Sequence, residues 1–255
     1  MCEEVLGQIG QGYKAILKEK LVGIYIHGSL AFQCFNPQKS DIDFIVVVKK
    51  PLTLEEKLLC IQCLLDLEEL APAKGFEMSI VLEKYCLNFI YPTPFELHYS
   101  KVYRTSARQD IKAYCEAMYG TDKDLAAHFQ VIRTVGYPIY GKAVCDVFSE
   151  VPEEYYVDSI LGDIQNAKED IVDNPVYTVL NLCRVWAYLK EGKILSKKDG
   201  ALWVIGNTDK YRDFIGLVLE NYLTNKTDNI SPAVLYSFAE DMLERIYSYD
   251  RRTKK

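Results

Sequence analysis

The sequence predicts an α+β fold, in which a small mixed sheet with helices is followed by an all-α helical bundle. Short apolar runs that end at Gly, Pro or charged residues occur before residue 85, as is typical of buried strands. Between these runs the apolar residues recur at helical spacing. From residue 153 onward helical spacing continues almost without interruption. We therefore expect one domain at 1–150 and a second at 151–255.

Length and charge narrow the classes of function. The 255 residues are 49% apolar, which is ample for a core, and the net charge is −6 with a pI near 5.3. An acidic chain is poorly suited to an extended nucleic-acid surface, which needs a basic stripe, and is better suited to a cationic small molecule. We expect a monomer with a small-molecule substrate and no nucleic-acid partner.

The chain also lacks the patterns of membrane and secreted proteins. The start MCEEVLGQ has neither the basic nor the apolar region of a signal peptide, and no apolar run approaches the ~20 residues of a membrane span. We expect a cytoplasmic protein with no membrane partner. Its eight cysteines lie in apolar context and are expected to be reduced. Cys60 and Cys63 form a C-x-x-C pattern, but no second pair or His is nearby, so we interpret them as core residues.

The first half of the chain predicts a regular series of elements. Apolar residues at helical spacing predict a helix over about 1–19, and Thr53 is a good N-cap for a second helix through Glu69. Apolar runs predict strands at about 22–27, 41–48 and 76–82, with a turn and the start of a short helix after the first of them. A Pro-rich loop at 91–94 follows.

The second half predicts helices with clear breaks. Helical patterns cover about 101–118 and 122–136, and the segment at 137–141 interrupts the chain before the domain boundary. Beyond residue 153 the sequence predicts about five helices. Their expected breaks are at Asn174-Pro175, Glu191-Gly192, Gly206-Asn207 and Asn229 to Pro232.

Two aspartates at the start of the second strand are the strongest chemical signal. Side chains alternate along a strand, so Asp41 and Asp43 project from one face while Ile42 points into the core. Aspartate is a poor strand former and like charges repel, so a cation is expected between the two carboxylates. Mg²⁺ is the usual ion where the chemistry is phosphoryl or nucleotidyl transfer. The alternative is a turn followed by an exposed acidic strand end.

Two further features support a phosphate site. Gly28 and Ser29 end the first strand, where glycine allows backbone N–H groups to approach a phosphate and the serine hydroxyl adds a donor. Glu77 shares a strand face with Ser79, and it joins the two aspartates if the third strand lies beside the second. An ordinary solvent-facing glutamate is the alternative for Glu77.

With these motifs the N-terminal half resembles the nucleotidyltransferase superfamily that includes DNA polymerase β. Its signature is Gly-Ser, a loop, Asp-x-Asp and a later carboxylate on a neighbouring strand. The whole chain resembles the bacterial aminoglycoside adenylyltransferases that modify streptomycin or spectinomycin. The segments that carry the likeness, in the family's order, are YIHGSLA, SDIDFIVVV, FEMSIV, YPTPFELHYS, TVLNLCRVW and GKILSKKDGALW.

The resemblance implies a nucleotidyltransferase domain joined to a helical bundle, with ATP and acceptor between the two. It implies that Asp41 and Asp43 bind Mg²⁺, with Glu77 as the third carboxylate and the catalytic base. The residues that it implies for ATP are Gly28, Ser29 and Ser40 in the first domain and Arg184, Lys197 and Tyr222 in the second. From the residues alone, Arg184 inside an apolar helix needs either a phosphate or a structural carboxylate.

The acceptor half departs from the family pattern. Val102 stands where characterised members have a tryptophan that stacks on the drug, and Asn174 stands at the position of a substrate-binding aspartate. A second tryptophan linked to streptomycin is replaced by Gln165. We expect acidic residues to receive the ammonium groups of an amino-sugar, with Glu96 and Asp170 as candidates. The catalytic half matches the family while the acceptor could be another compound.

These observations predict an ATP- and Mg²⁺-dependent O-adenylyltransferase that moves AMP onto a hydroxyl of an aminoglycoside or aminocyclitol of the spectinomycin or streptomycin type. The first alternative is an adenylyltransferase acting on another small-molecule or protein hydroxyl. The second is a nucleotide-binding regulatory module without turnover, which the joint presence of Asp41, Asp43 and Glu77 disfavours.

Overall fold

The structure is a computed structural model that describes residues 2–224, 226 and 230–249. It divides into two units, one ending at Tyr156 and the other beginning at Val157. This division falls a few residues after the boundary that the sequence predicts. The fold class is as predicted: a sheet-containing first unit and a helical second unit.

The first unit alternates strands and helices up to its third strand, in the order that the sequence predicts. The elements are α1 (Cys2–Leu17), β1 (Leu21–Ile26), α2 (Gly28–Ala31), β2 (Ile42–Val48), α3 (Leu54–Asp66), β3 (Phe76–Leu82) and α4 (Glu83–Leu87). Thr53 caps α3 in a capping box, accepting from the backbone of Glu56, whose carboxylate accepts from the backbone of Thr53. The remaining elements are β4 (Thr93–Phe95), β5 (Leu97–Tyr99), α5 (Arg104–Gln109), α6 (Ile111–Ala117), β6 (Gly120–Asp122), α7 (Leu125–Val135) and β7 (Tyr137–Gly141).

Five of the strands form one mixed sheet in the order β5-β3-β2-β1-β7. β2 and β3 are parallel, and the other pairs in this sheet are antiparallel. β4 and β6 form a separate two-stranded sheet. The parallel pair matters for function because it brings the first residues of β2 and β3 to one edge of the sheet.

The sheet core explains the apolar runs in the sequence. Phe44, Val46 and Val48 are fully buried with their neighbours on β2, and α1 and α3 pack against each other over the sheet. Tyr13 of α1 meets Phe44 edge to face at a centroid distance of 6.0 Å. Burying each such side chain contributes about 1.5–3 kcal/mol, which holds β2 in register and fixes where its polar first residues emerge.

Several short strands were not predicted. The segment at 137–141, predicted as an interruption of the chain, forms β7 and pairs with β1. β7 is an edge strand, where the missing N–H of Pro138 is tolerated. The helical pattern at 101–118 is in fact a 3₁₀ turn followed by α5 and α6, and β6 precedes α7.

The second unit is helical as predicted. The helices are α8 (Glu153–Gly162), which begins before the division, α9 (Ala167–Asp170), α10 (Pro175–Glu191), α11 (Lys197–Asn207), α12 (Arg212–Leu223) and α13 (Pro232–Tyr249). Pro175 occupies the first turn of α10, and Gly192 ends it in the left-handed conformation at φ 68°. The predicted break from Asn229 to Pro232 lies partly outside the described residues.

The C-x-x-C pair is structural. Cys60 is fully buried, and both Cys60 and Cys63 are free thiols. Burial raises the pKa of both thiols, so neither is poised as a reactive thiolate. Within the described part of the chain, no helix combines the length and the hydropathy required to cross a bilayer.

Candidate active site

The turn after β1 places its backbone directly against an aspartate of β2. Gly28 begins α2 with φ +59°, and a Cβ built on it would lie 1.8 Å from Oδ2 of Asp43. Any larger residue would therefore displace Asp43 or the turn. The N–H of His27 donates to the backbone oxygen of Asp43 at 3.1 Å, which fastens the turn to β2.

Three carboxylates converge beside this turn. Asp43 pairs with Glu77 in the parallel register of β2 and β3, and Asp41 precedes β2 by one residue. One oxygen from each of the three lies within 4.8 Å of the others, and all three residues are partly buried. Ile42, between the aspartates, is 1% exposed. The strand pairing that the sequence required for Glu77 is therefore present.

This arrangement fits a hard divalent cation. Carboxylate oxygens are the ligands that Mg²⁺ prefers, and two ligands of one ion lie up to about 4 Å apart at Mg²⁺–oxygen distances near 2.1 Å. Three partly buried carboxylates this close repel one another unless a cation lies between them. Among the residues that the structure describes, no other group of three His, Cys, Asp or Glu side chains brings its ligand atoms so close together.

The two serines predicted to contact phosphates differ in their surroundings. Ser29 Oγ is buried and has no hydrogen-bond partner within the described residues. A buried hydroxyl without a partner costs free energy, and a phosphate oxygen would provide one. Ser40 Oγ accepts from the backbone N–H of Asn36 at 3.1 Å, so it closes the loop before β2 and still has its own proton to donate.

Two histidines adjoin the carboxylates, and the sequence analysis did not identify either as a site residue. His128 of α7 places Nε2 3.9 Å from Oε1 of Glu77, and its ring lies 4.6 Å from the ring of His27. His27 is visible in the sequence as the residue before Gly28-Ser29. His128 has no local signal, because only tertiary packing brings α7 to this edge of the sheet.

The pKa values of the two histidines reflect their burial and the charges around them. Burial lowers the pKa of His27, and the neighbouring His128 lowers it further. Burial also acts to lower the pKa of His128, but nearby carboxylates outweigh it and the pKa is raised. Those carboxylates belong to Glu77, Asp124, Asp122 and Asp43. Carboxylates therefore outweigh burial at His128, which favours positive charge at that position.

Glu96 lies away from the carboxylate cluster. β3 and β5 are antiparallel with Ile80 opposite Leu97, so Glu96 adjoins the far end of β3 from Glu77. Its carboxylate accepts from the backbone N–H of Leu52, just beyond β2, at 3.2 Å. Glu96 belongs to the first unit. Its role in acceptor binding stays a prediction.

Val102 follows β5 at the end of the sheet where the carboxylate cluster lies, unlike Glu96. Met78 is opposite Tyr99, so the chain after β5 emerges at the edge where Glu77 begins β3. Val102 follows in a 3₁₀ turn and is 81% exposed. An exposed apolar side chain at this edge is available for contact, but its role in acceptor binding stays a prediction.

In the second unit, the predicted nucleotide residues lie on α10, α11 and α12. Arg184 donates from Nη2 to Oδ1 of Asn181, and it has no carboxylate partner among the described residues. The sequence leaves a phosphate or a structural carboxylate as the partner of Arg184, and the described residues supply no such carboxylate. Lys197 begins α11 after the N-cap Ser196, with Nζ 4.5 Å from the centroid of the Tyr177 ring.

The other predicted residues of the second unit lie near helix ends. Tyr222 is partly buried near the end of α12. Asp170 ends α9, and Asn174 precedes α10; both are exposed, and the N–H of Asn174 donates to the backbone oxygen of Asp170 at 2.8 Å. The roles of these residues stay predictions.

Comparison with known proteins agrees with this arrangement. Residues 11–108 match the model of the nucleotidyltransferase domain, and residues 146–245 match that of the aminoglycoside adenylyltransferase C-terminal domain. The chain is 24% identical over 243 residues to a spectinomycin 9-adenylyltransferase of Enterococcus faecalis, covering 89% of this chain and 92% of the relative.

A solved structure has the same fold. It is the crystal structure of the spectinomycin adenyltransferase AAD(9) from Enterococcus, determined with ATP and spectinomycin. It superposes with a TM-score of 0.82 at 21% identity, covering 96% of this chain and 99% of that chain. The chain therefore belongs to the aminoglycoside adenylyltransferase family of the nucleotidyltransferase superfamily, and it is a nucleotidyltransferase.

Proposed function

We propose that this enzyme uses ATP and Mg²⁺ to transfer AMP to a hydroxyl of an aminocyclitol or aminoglycoside antibiotic, with spectinomycin as the leading candidate. The observation that carries the proposal is the convergence of Asp41, Asp43 and Glu77 beside the Gly28 turn. In a cell, such a modification would confer resistance to the antibiotic.

Asp41 and Asp43 would hold Mg²⁺, with Glu77 close enough to complete the carboxylate set. When bound, the ion supplies the positive charge that neutralises the triphosphate and lowers the pKa of the attacking hydroxyl. The turn at Gly28 lets a phosphate approach the backbone, and Ser29 Oγ supplies a donor that has no protein partner within the described residues.

Glu77 is the candidate general base. It would accept the proton of the acceptor hydroxyl as that oxygen attacks the α-phosphorus of ATP. A new phosphorus–oxygen bond forms to the acceptor, and the bond to the β-phosphate oxygen breaks, so that pyrophosphate leaves. General-base catalysis of this kind contributes about 10²–10⁴ in rate.

Arg184 and Lys197 are the candidate phosphate-binding cations of the second unit. The buried helix that carries Arg184 offers it an amide partner in Asn181 and no carboxylate among the described residues. A guanidinium without a carboxylate partner can bind phosphate oxygens in a bidentate manner. We propose that both cations stabilise the departing pyrophosphate.

The acceptor is proposed from two lines of support. The relatives that match over most of the chain are named for spectinomycin. The negative field around His128 also favours an acceptor that carries ammonium groups.

Incubation with labelled ATP and Mg²⁺ tests the proposal. Spectinomycin and streptomycin are added separately, together with other aminoglycosides and aminocyclitols, and pyrophosphate release and AMP-labelled product are measured. Turnover with spectinomycin supports the assignment. Labelling of proteins in a lysate would indicate a protein acceptor, and ATP binding without any turnover would indicate a regulatory module; either result would overturn the proposed reaction.

The Gly28 turn yields a further prediction. Gly28→Ala places a Cβ into the space held by Asp43 and at a positive φ, so we expect activity to fall at least 10-fold. The matched control is Gly192→Ala, whose φ of +68° is similar but whose Cβ would meet nothing within 4 Å.

Backbone strain should cost each variant about 1 kcal/mol of stability, measured by urea unfolding, and Gly28→Ala should lose more because its Cβ meets Asp43. Only Gly28→Ala is expected to lose AMP transfer. Equal activity in the two variants would show that contact with Asp43 is unimportant for the reaction.

A further inference from the structure

We propose that His128 is a positioning residue that orients the carboxylate of Glu77 for proton abstraction. This inference deepens the proposed function and rests on it. Nε2 of His128 lies 3.9 Å from Oε1 of Glu77, the side chain that the reaction needs in one defined orientation. His27 lies within the YIHGSLA segment, whereas His128 lies in none of the segments that carry the family likeness.

Glu77 needs such support because of its neighbours. Glu77 is the second residue of β3 and has a flexible, partly buried side chain. The carboxylates of Asp41 and Asp43 lie close to it and carry the same charge. Their repulsion favours rotamers that point Glu77 away from the aspartates. An N–H donor 3.9 Å from Oε1 of Glu77 would limit how far the carboxylate turns.

His128 is held firmly enough to act as that donor. Its ring packs against the ring of His27 at a centroid distance of 4.6 Å and a tilt of 36°, and His27 is 4% exposed. The N–H of His27 is bonded to the backbone of Asp43, and α7 packs against α2. His128 is therefore fixed to the same framework that carries the aspartates, so its position and theirs move together.

The contact does not depend on the charge of the imidazole. Nε2 carries a proton both in the imidazolium and in the neutral Nε2–H tautomer, so it can face a carboxylate in either state. Displacement of a reacting group by about 1 Å costs as much as 10²-fold in rate. Loss of His128 should thus slow chemistry and leave binding of ATP intact.

The experiment measures AMP transfer by the full chain carrying His128→Leu or His128→Gln. Leucine fills the space beside His27 without an N–H, while glutamine places an N–H close to the position of Nε2. We expect kcat to fall about 10–100-fold for His128→Leu, with the KM values for ATP and acceptor changed less than about 3-fold. His128→Gln should recover kcat to within about 5-fold of the wild type.

The matched control is His98→Gln. His98 lies on β5, and its Nδ1 is 2.9 Å from Oγ of Ser79, so it is a partly buried histidine whose side chain contacts Ser79 in place of Glu77. Its kcat should equal that of the wild type within about 3-fold. Thermal unfolding of every variant reports whether the fold is retained, and His128→Asn replaces any variant that does not fold.

Three outcomes separate the proposals. If the wild type transfers no AMP to any acceptor, the proposed function fails and this inference fails with it. If the wild type is active and His128→Leu has the same kcat, the inference alone fails. The positioning role would likewise be overturned if His128→Leu loses activity through a raised KM for ATP. It would also be overturned if His128→Gln does not recover the activity.

Discussion

Asp43→Asn is expected to reduce AMP transfer by at least 10³-fold while the fold persists. The carboxylate of Asp43 contacts the Gly28 turn, and Asp43 lies opposite Glu77 in the register of β2 and β3. Its replacement therefore removes a proposed metal ligand from the cluster. The side chain is isosteric, and the cluster loses one of its repelling charges. We therefore expect the melting temperature without Mg²⁺ to be unchanged or slightly raised.

Addition of Mg²⁺ gives a second readout that is independent of turnover. A ligand present at 100 times its Kd stabilises the folded state by about 2.7 kcal/mol, so Mg²⁺ should raise the melting temperature of the wild type. The increase should vanish in Asp43→Asn. The control is Asp66→Asn, an exposed aspartate near the end of α3, which should keep both the increase and the activity. Normal turnover in Asp43→Asn would remove the metal assignment.

Glu77→Gln is expected to reduce kcat by about 10²–10⁴ with little change in the affinity for ATP. Glutamine keeps the size of the side chain and its neighbours on β3 but cannot accept the hydroxyl proton. In the proposed site ATP would contact the Gly28 turn and the metal held by the aspartates, all of which remain in this variant. Burst and steady-state measurements of pyrophosphate release give kcat, and equilibrium binding of ATP gives the affinity.

The control for this variant is Glu69→Gln, which changes an exposed glutamate after α3 and should have wild-type kinetics. Comparison of the kcat values of Glu77→Gln and His128→Leu then shows which residue contributes more to the rate. The direct base should have the larger effect, and the double variant should be no slower than Glu77→Gln alone because both act on the same proton transfer. Additive losses would show that His128 acts elsewhere.

The sequence contained the local part of this site. Mostly apolar runs of six or seven residues bounded by Gly, Pro and charges predicted β1, β2 and β3 to within one residue, because runs of this length are typical of buried strands. The Gly28 turn and the two aspartates could also be recognised from the sequence. Each is a local departure from what a buried strand favours.

Other features depended on which segments become neighbours. β7 was missed because Pro138 marks a break unless the segment lies at an edge. The distance of Glu96 from the cluster could not be predicted, because it is set by the antiparallel register of β3 and β5. Strand pairing is a long-range property, and neither periodicity nor composition of a single segment encodes it.

The sequence by itself thus determined the order of elements up to β3, the helical character of the second unit, the turn at Gly28 and the carboxylates at the start of β2. Tertiary structure alone decided that β3 lies parallel to β2, which brings Glu77 to Asp43, and that α7 carries His128 to the same edge. The physical reason is that a side chain's face follows from local backbone geometry, whereas its partners across the sheet follow from the packing of segments far apart in the chain.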